Sequence, residues 1–277
     1  MRDLLVHPEN FTGRAESFGF EYLSFQIANL KAGQSFSGET GASELGLVLL
    51  GGVCTVESSH GQWPRIGERE NVFAGLPYAL YLPISARFQI TGLSNCEVAL
   101  CYSRAEEIHP ARLITPDDVE IEIRGGGNAT RQIHHILKPD FPAHRLLVVE
   151  VFTPSGNWSS YPPHKHDVHA PPGEVDLDEI YYYKLSRPEG YAIQKVYTAD
   201  RKLDSTLTVR DGELVLIPEG YHPVVAAHGY DAYYLNALAG SARSMAASDD
   251  PEYAWVRAEW KAKDPRLPIV PRPKTGR

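Results

Sequence analysis

The residues best suited to chemistry concentrate in one stretch of the second half. His164-Lys165-His166 sets two imidazoles at i and i+2, a spacing that turns both to one side of an extended strand. A carboxylate follows in Asp178-Glu179-Ile180-Tyr181-Tyr182-Tyr183, a run that favours β-structure. Pro218-Glu219-Gly220-Tyr221-His222 then reads as a turn delivering a third histidine to the head of another strand. An isolated His-x-His is usually solvent-exposed, but here three separate segments each bring a donor. Three neutral imidazoles and one carboxylate facing into a barrel suit a divalent first-row metal, and such ligation accommodates Zn, Mn, Fe, Co or Ni alike. A position left open on that metal is what catalysis needs.

Proton-transfer candidates lie nearby. Alternation along the strand puts Tyr181 and Tyr183 on the face of Glu179, and Glu150 sits on the run that leads into the motif. An unperturbed phenol, with a pKa near about 10, is a poor base. Asp231, Tyr233 and Gln194 are weaker candidates of the same kind.

Short β-rich runs must carry these groups. They fall at 44–56, 71–73, 79–82, 86–91 and 97–102, and again at 145–152, 179–184, 191–198, 206–210, 213–217 and 230–238. Twenty-three glycines and 21 prolines punctuate them, the pattern of an all-β sandwich or barrel. Residues 128–137 could be a short helix or a strand, since periodicity cannot separate the two over so short a run. A polar, proline-containing stretch at 108–118 marks the crossover. The expected division is therefore 1–115, 116–263 and a Pro-rich tail at 264–277.

With 277 residues, 43% of them hydrophobic, the chain is ordinary for two folded domains. Twenty-seven basic against 35 acidic residues leave a charge of −8. That lacks the footprint of a nucleic-acid binder and argues against adhesion to anionic membranes. No apolar run approaches the ~20 residues of a membrane span. The N-terminal apolar run stops at Pro8, too early for a signal peptide's core. Cys54, Cys96 and Cys101 are an odd number without metal-ligand spacing and read as reduced core residues. A cytoplasmic protein is the expectation.

The three metal-site segments follow the cupin pattern, and the words around them are narrower. Residues 157–167 (NWSSYPPHKHD), 178–183 (DEIYYY) and 218–224 (PEGYHPV) resemble the 5-deoxy-glucuronate isomerase family of myo-inositol catabolism. So do 124–132 (RGGGNATRQ), 229–236 (GYDAYYLN) and 249–256 (DDPEYAWV). The resemblance implies a bicupin of two tandem antiparallel jelly-roll barrels, with His164, His166, Glu179 and His222 as metal ligands. Because twelve residues separate His166 from Glu179, more than the usual cupin spacing, Asp167 and Asp178 compete for the carboxylate role. Alternation favours Glu179. The first half has no His-x-His: His60 and His109 stand alone, and the adjacent His134 and His135 diverge on a strand. It reads as a metal-free cupin.

The implied reaction is the aldose–ketose isomerisation of 5-deoxy-D-glucuronate to 5-dehydro-2-deoxy-D-gluconate. A substrate carboxylate calls for a guanidinium clamp, which Arg124 or Arg131 could supply. The competing readings are a related uronate isomerase, an Fe(II) dioxygenase on the same ligands, and a non-catalytic sugar-acid-binding bicupin. Edge strands of a bicupin could pair across a two-fold axis as a homodimer or higher homo-oligomer.

Overall fold

The structure, a computed structural model, describes residues 3–272. Its only helices among those residues are three 3-10 turns, Pro8–Asn10, Gly127–Ala129 and Ala254–Glu259. Everything else that is regular is strand. No helix of the described residues is long and apolar enough to cross a membrane.

The chain divides into two compact units. Among the described residues, one comprises Glu9–Glu120, Ile136–Leu146 and 270–272. Its five-stranded sheet runs in the order Arg112–Ile114, Tyr78–Leu82, Ser43–Gly51, Cys96–Arg104, Leu23–Leu30. A four-stranded sheet is ordered Ser35–Glu39, Arg87–Gly92, Cys54–Ser58, Gly61–Ile66. Alternation does the work of assembly: Leu45, Leu47 and Leu49 of the first sheet share one core with Val56, Phe88 and Ile90 of the second. All three cysteines are free and buried, as the sequence suggested.

The other unit comprises residues 3–8, Ile121–His135 and Leu147–Ile269. Its large sheet is ordered Leu5–Val6, Leu214–Ile217, Leu177–Leu185, Ala232–Gly240, Leu147–Thr153, Arg131–Leu137, Glu120–Arg124. The central strand Leu177–Leu185 runs antiparallel to both neighbours, with Glu179 opposite Ile217 on one side and Leu238 on the other. A smaller sheet is ordered Trp158–Ser159, Val224–Ala226, Ala192–Tyr197, Asp204–Val209. Val151, Tyr181, Tyr183 and Tyr234 of the large sheet pack with Val196, Val209 and Val224 of the smaller one. The two-residue strand His164–Lys165 pairs with Ser248–Asp249.

Several local expectations change. Residues 71–73 form a turn, because the Asn71 side chain accepts the Phe73 N–H at 2.9 Å and so takes the backbone out of extended pairing. The stretch 108–118 contains a strand, Arg112–Ile114, that pairs with Tyr78–Leu82. Residues 128–137 resolve into the end of a 3-10 turn followed by the strand Arg131–Leu137. The run 44–56 breaks after Gly51: Gly52 has φ +87°, and a Cβ there would lie 2.2 Å from the Asn95 carbonyl oxygen. The units are interleaved along the chain, where the sequence division has three consecutive segments. Residues 273–277 of the expected tail, like Met1 and Arg2, lie outside the described residues.

Candidate metal centre

The strand Leu177–Leu185 positions the centre. Leu177, Glu179 and Tyr181 line one cavity of about 210 Å³; the intervening Asp178 is on the other face. His164 and His166 line the same cavity, with ring centroids 6.4 Å apart. His222 arrives on the turn before Val224–Ala226, its ring centroid 5.0 Å from that of His166 and 4.8 Å from that of His164. His166, Glu179 and His222 offer donor atoms all within 4.8 Å of one another, and all three residues are buried. This is the one such group of three among the described residues. His164 stands beside it in the cavity, outside the tight trio.

Hydrogen bonding orients the trio. His166 Nδ1 lies 3.2 Å from the Leu177 carbonyl and His222 Nδ1 lies 2.8 Å from the Gly220 carbonyl. A carbonyl only accepts, so both Nδ1 atoms carry the hydrogen and both Nε2 atoms of the neutral rings present lone pairs. Both Nε2 atoms face Glu179 Oε2, His166 Nε2 at a hydrogen-bond distance of 2.9 Å and His222 Nε2 at 3.2 Å. His222 Nε2 is buried without a hydrogen-bond partner despite that approach. Acceptors converging in this way suit a cation at their focus, and outer carbonyls fixing the tautomer are the usual support of metal-ligating histidines. The donor set therefore fits a divalent metal. Burial pushes the pKa of His164 and of His222 down to about 3, keeping both rings in the neutral form that coordinates. At His166 burial works in the same sense, but the adjacent Glu179 outweighs it and raises the pKa.

Of the competing carboxylates, Asp178 lies on the other face of its strand and Asp167 has other partners. Asp167 pairs with Lys165 and accepts the Gly220 N–H at 2.8 Å. Tyr181 lines the cavity, with its hydroxyl 3.0 Å from Ser160 Oγ. Burial, reinforced by the Glu179 charge, raises its pKa well above 10. Tyr183 shares that face but is not among the lining residues; its hydroxyl donates to Gln194 Oε1 at 2.9 Å.

Glu150 requires correction as a proton-transfer candidate. Its neighbours Val149 and Val151 line the cavity, so alternation directs Glu150 to the opposite face of the sheet. There Tyr233 donates to it at 2.8 Å and His134 lies 3.2 Å away. Tyr233 leaves the site for the same reason, and Asp231 serves a loop by accepting the Ser155 N–H.

Arg124 and Arg131 both line the cavity. The sequence reading missed Tyr234, Asn236, Met245 and Arg257, which line it too. Tyr234 is one step of alternation away from Tyr233, and Asn236 shares the face of Tyr234. Arg257 comes from the 3-10 turn Ala254–Glu259, where no period pointed inward.

Similarity to known proteins places the chain in a family. The KduI/IolB family model matches residues 9–256. A 5-deoxy-glucuronate isomerase of Geobacillus thermodenitrificans is 46% identical over 242 residues, 87% of this chain and 88% of the relative. The crystal structure of an IolB-like protein from Salmonella typhimurium superposes with a TM-score of 0.89 and 37% identity, covering 92% of this chain and 99% of that one. An oxalate decarboxylase of Bacillus subtilis, studied for its Mn(II) centres, shares the fold at a TM-score of 0.59 and 12% identity, covering 90% of this chain and 80% of that one. With its sandwich units, its inward donor cluster and a match over nearly its whole length, the chain belongs to the KduI/IolB family.

Proposed function

We propose that the chain is a metal-dependent aldose–ketose isomerase that converts 5-deoxy-D-glucuronate to 5-dehydro-2-deoxy-D-gluconate in inositol catabolism. The observation that carries the reading is the buried convergence of His166, Glu179 and His222, two of which line a cavity sized for a small metabolite, in a chain 46% identical to a relative named for that activity. His164 supplies the fourth ligand from the cavity wall. A divalent cation held by these residues would supply Lewis-acid polarisation of a carbonyl oxygen.

The chain's own residues do the rest. Tyr181, held as a phenol by burial, donates a hydrogen bond to a substrate oxygen as charge develops on it. Ser160, 3.0 Å away, fixes its hydroxyl. Tyr183 and Gln194 support Tyr181 from below and do not touch substrate. Among the described residues Glu179 is the only carboxylate lining the cavity, and as a ligand it is committed to the metal. The arginines on the cavity wall favour a sugar acid over a neutral sugar.

The test is proton NMR of 5-deoxy-D-glucuronate with metal-loaded protein in D₂O. Loss of the aldehyde or hemiacetal signal, with growth of the ketone product, is the expected result. Chelation stops the conversion and added metal restores it. No conversion by protein shown to hold its metal overturns the reading.

A further inference from the structure

Three guanidiniums line the cavity, and two of them are already neutralised. Arg124 Nε and Nη2 donate to the two carboxylate oxygens of Glu122, each at 2.7 Å. Arg257 makes the same two-point contact with Asp249. Arg131 differs. It is 5% exposed, and its Nη1 donates to the carbonyls of Ala129 and Tyr161, both at 3.1 Å. Its guanidinium lies over the Trp260 ring, 5.6 Å from the centroid. Among the described residues no carboxylate pairs with it.

The glycine run shows how this charge is accommodated. Gly125 has φ +92°, and a Cβ there would lie 2.0 Å from the Ala129 carbonyl oxygen and 3.0 Å from Arg131 Nη1. A Cβ at Gly126 would lie 2.6 Å from the Trp260 Cα. The missing side chains let the Ala129 carbonyl reach the guanidinium and let Trp260 close against the run. Burial, with the neighbouring guanidiniums pushing the same way, draws the Arg131 pKa down to about 10. The side chain stays charged at neutral pH all the same. A buried charge without a counter-charge is costly to a fold, and a fold that keeps one facing a cavity is completed by an anionic ligand.

We infer that Arg131 is the receptor for the single carboxylate of a sugar acid, with Trp260 fixing the plane of its guanidinium. This rests on the sugar-acid isomerase reading above and names the residue that recognises the acid. Arg124 and Arg257, each tied to its own carboxylate, set the surrounding field and do not take the ligand's charge. A planar fork lying over an indole presents its remaining N–H groups to a carboxylate in a bidentate geometry that an ammonium cannot reproduce.

D-Glucuronate and D-glucose differ by a carboxylate in place of a hydroxymethyl group and serve as binding probes in NMR titrations of the metal-loaded chain. Turnover is followed in parallel with 5-deoxy-D-glucuronate and its neutral counterpart 5-deoxy-D-glucose. Wild type is expected to prefer the acid in both assays. Arg131→Gln should lose on the order of 10²-fold in affinity for D-glucuronate and in kcat/KM for 5-deoxy-D-glucuronate, with the neutral sugars unaffected. Arg131→Lys, which keeps the charge and loses the fork, should fall between. Should Arg131→Gln fail to fold, the acid preference of wild type and its reduction in Arg131→Lys still decide the matter. Equal losses on acid and neutral probes overturn the inference, as does a loss at Arg124→Gln with none at Arg131→Gln. If wild type binds D-glucuronate through Arg131 yet turns nothing over, the isomerase reading fails and the receptor stands. If turnover occurs and Arg131→Gln matches wild type, the receptor fails and the isomerase stands.

Discussion

Asp167 and Gly220 are joined by a hydrogen bond that ties two ligand-bearing segments together. Asp167 Oδ2 accepts the Gly220 N–H at 2.8 Å, and the Gly220 carbonyl in turn accepts the Nδ1 hydrogen of His222 at 2.8 Å. Asp167 directly follows His166, so one carboxylate sets the spacing of both imidazoles. Lys165 holds that carboxylate from the other side, and Glu174 Oε1 fixes the same loop by accepting the N–H groups of Asp167 and Val168, each at 3.0 Å.

Asp167→Ala should therefore weaken metal binding by roughly 10- to 100-fold, the usual cost of losing an outer partner of a metal ligand. Competition against a chelator of known affinity measures it. Asp167→Asn keeps an acceptor oxygen for the Gly220 N–H and should recover most of the affinity. A lowered Tm with unchanged metal affinity would reduce Asp167 to a merely structural role.

Gly220 has a stereochemical duty of its own. Its φ is +85°, and a Cβ would lie 2.5 Å from the Tyr197 carbonyl oxygen. Gly220→Ala should destabilise the unit by about 2 kcal/mol or more, the sum of left-handed strain and displaced backbone. Chemical denaturation reads the stability, and chelator competition should show metal affinity falling with it.

Much of the site was legible because its signals are local. The His164/His166 spacing, the alternation that selects Glu179 over Asp178, and the turn before His222 each fit within a few residues. What escaped depended on phase or on distance. Every residue of Ala232–Gly240 is buried, so no solvent-facing position marked which face met the cavity, and Tyr233 was considered where Tyr234 lines it. Leu147–Thr153 is buried throughout as well, which hid the outward turn of Glu150. The strand Leu5–Val6 is too short to show a period, yet it pairs with Leu214–Ile217 in the large sheet. The purpose of the glycine run at 125–127 needed Trp260, more than a hundred residues away.

The thiols give a prediction for the other unit. Burial pushes the Cys54 pKa up to about 12 and raises those of Cys96 and Cys101. Since the thiolate is the reactive species, the folded chain should react with a disulfide reagent such as DTNB far more slowly than the unfolded chain. All three cysteines should titrate once denaturant is added. Rapid release of one or more equivalents from native protein would contradict the burial of that thiol.

Glu122 carries a pH signature. His135 Nε2 lies 3.0 Å from it and Arg124 donates to both its oxygens; these hydrogen bonds, His135 first, hold its carboxyl well below the ordinary glutamate range. A folded-state pKa depressed below the unfolded value stabilises the fold above the unfolded pKa, and that contribution is lost as pH falls. The unfolded glutamate value is about 4.3, so the stabilisation should be complete at pH 7 and begin to fade as pH drops through that value. Glu122 is partly open to solvent, so screening trims the size of the effect. Urea denaturation of wild type and Glu122→Gln across pH 7 to 3 should show a gap between them that narrows only at the acidic end. A gap that is constant with pH would mean that the Glu122 contribution is packing and not charge.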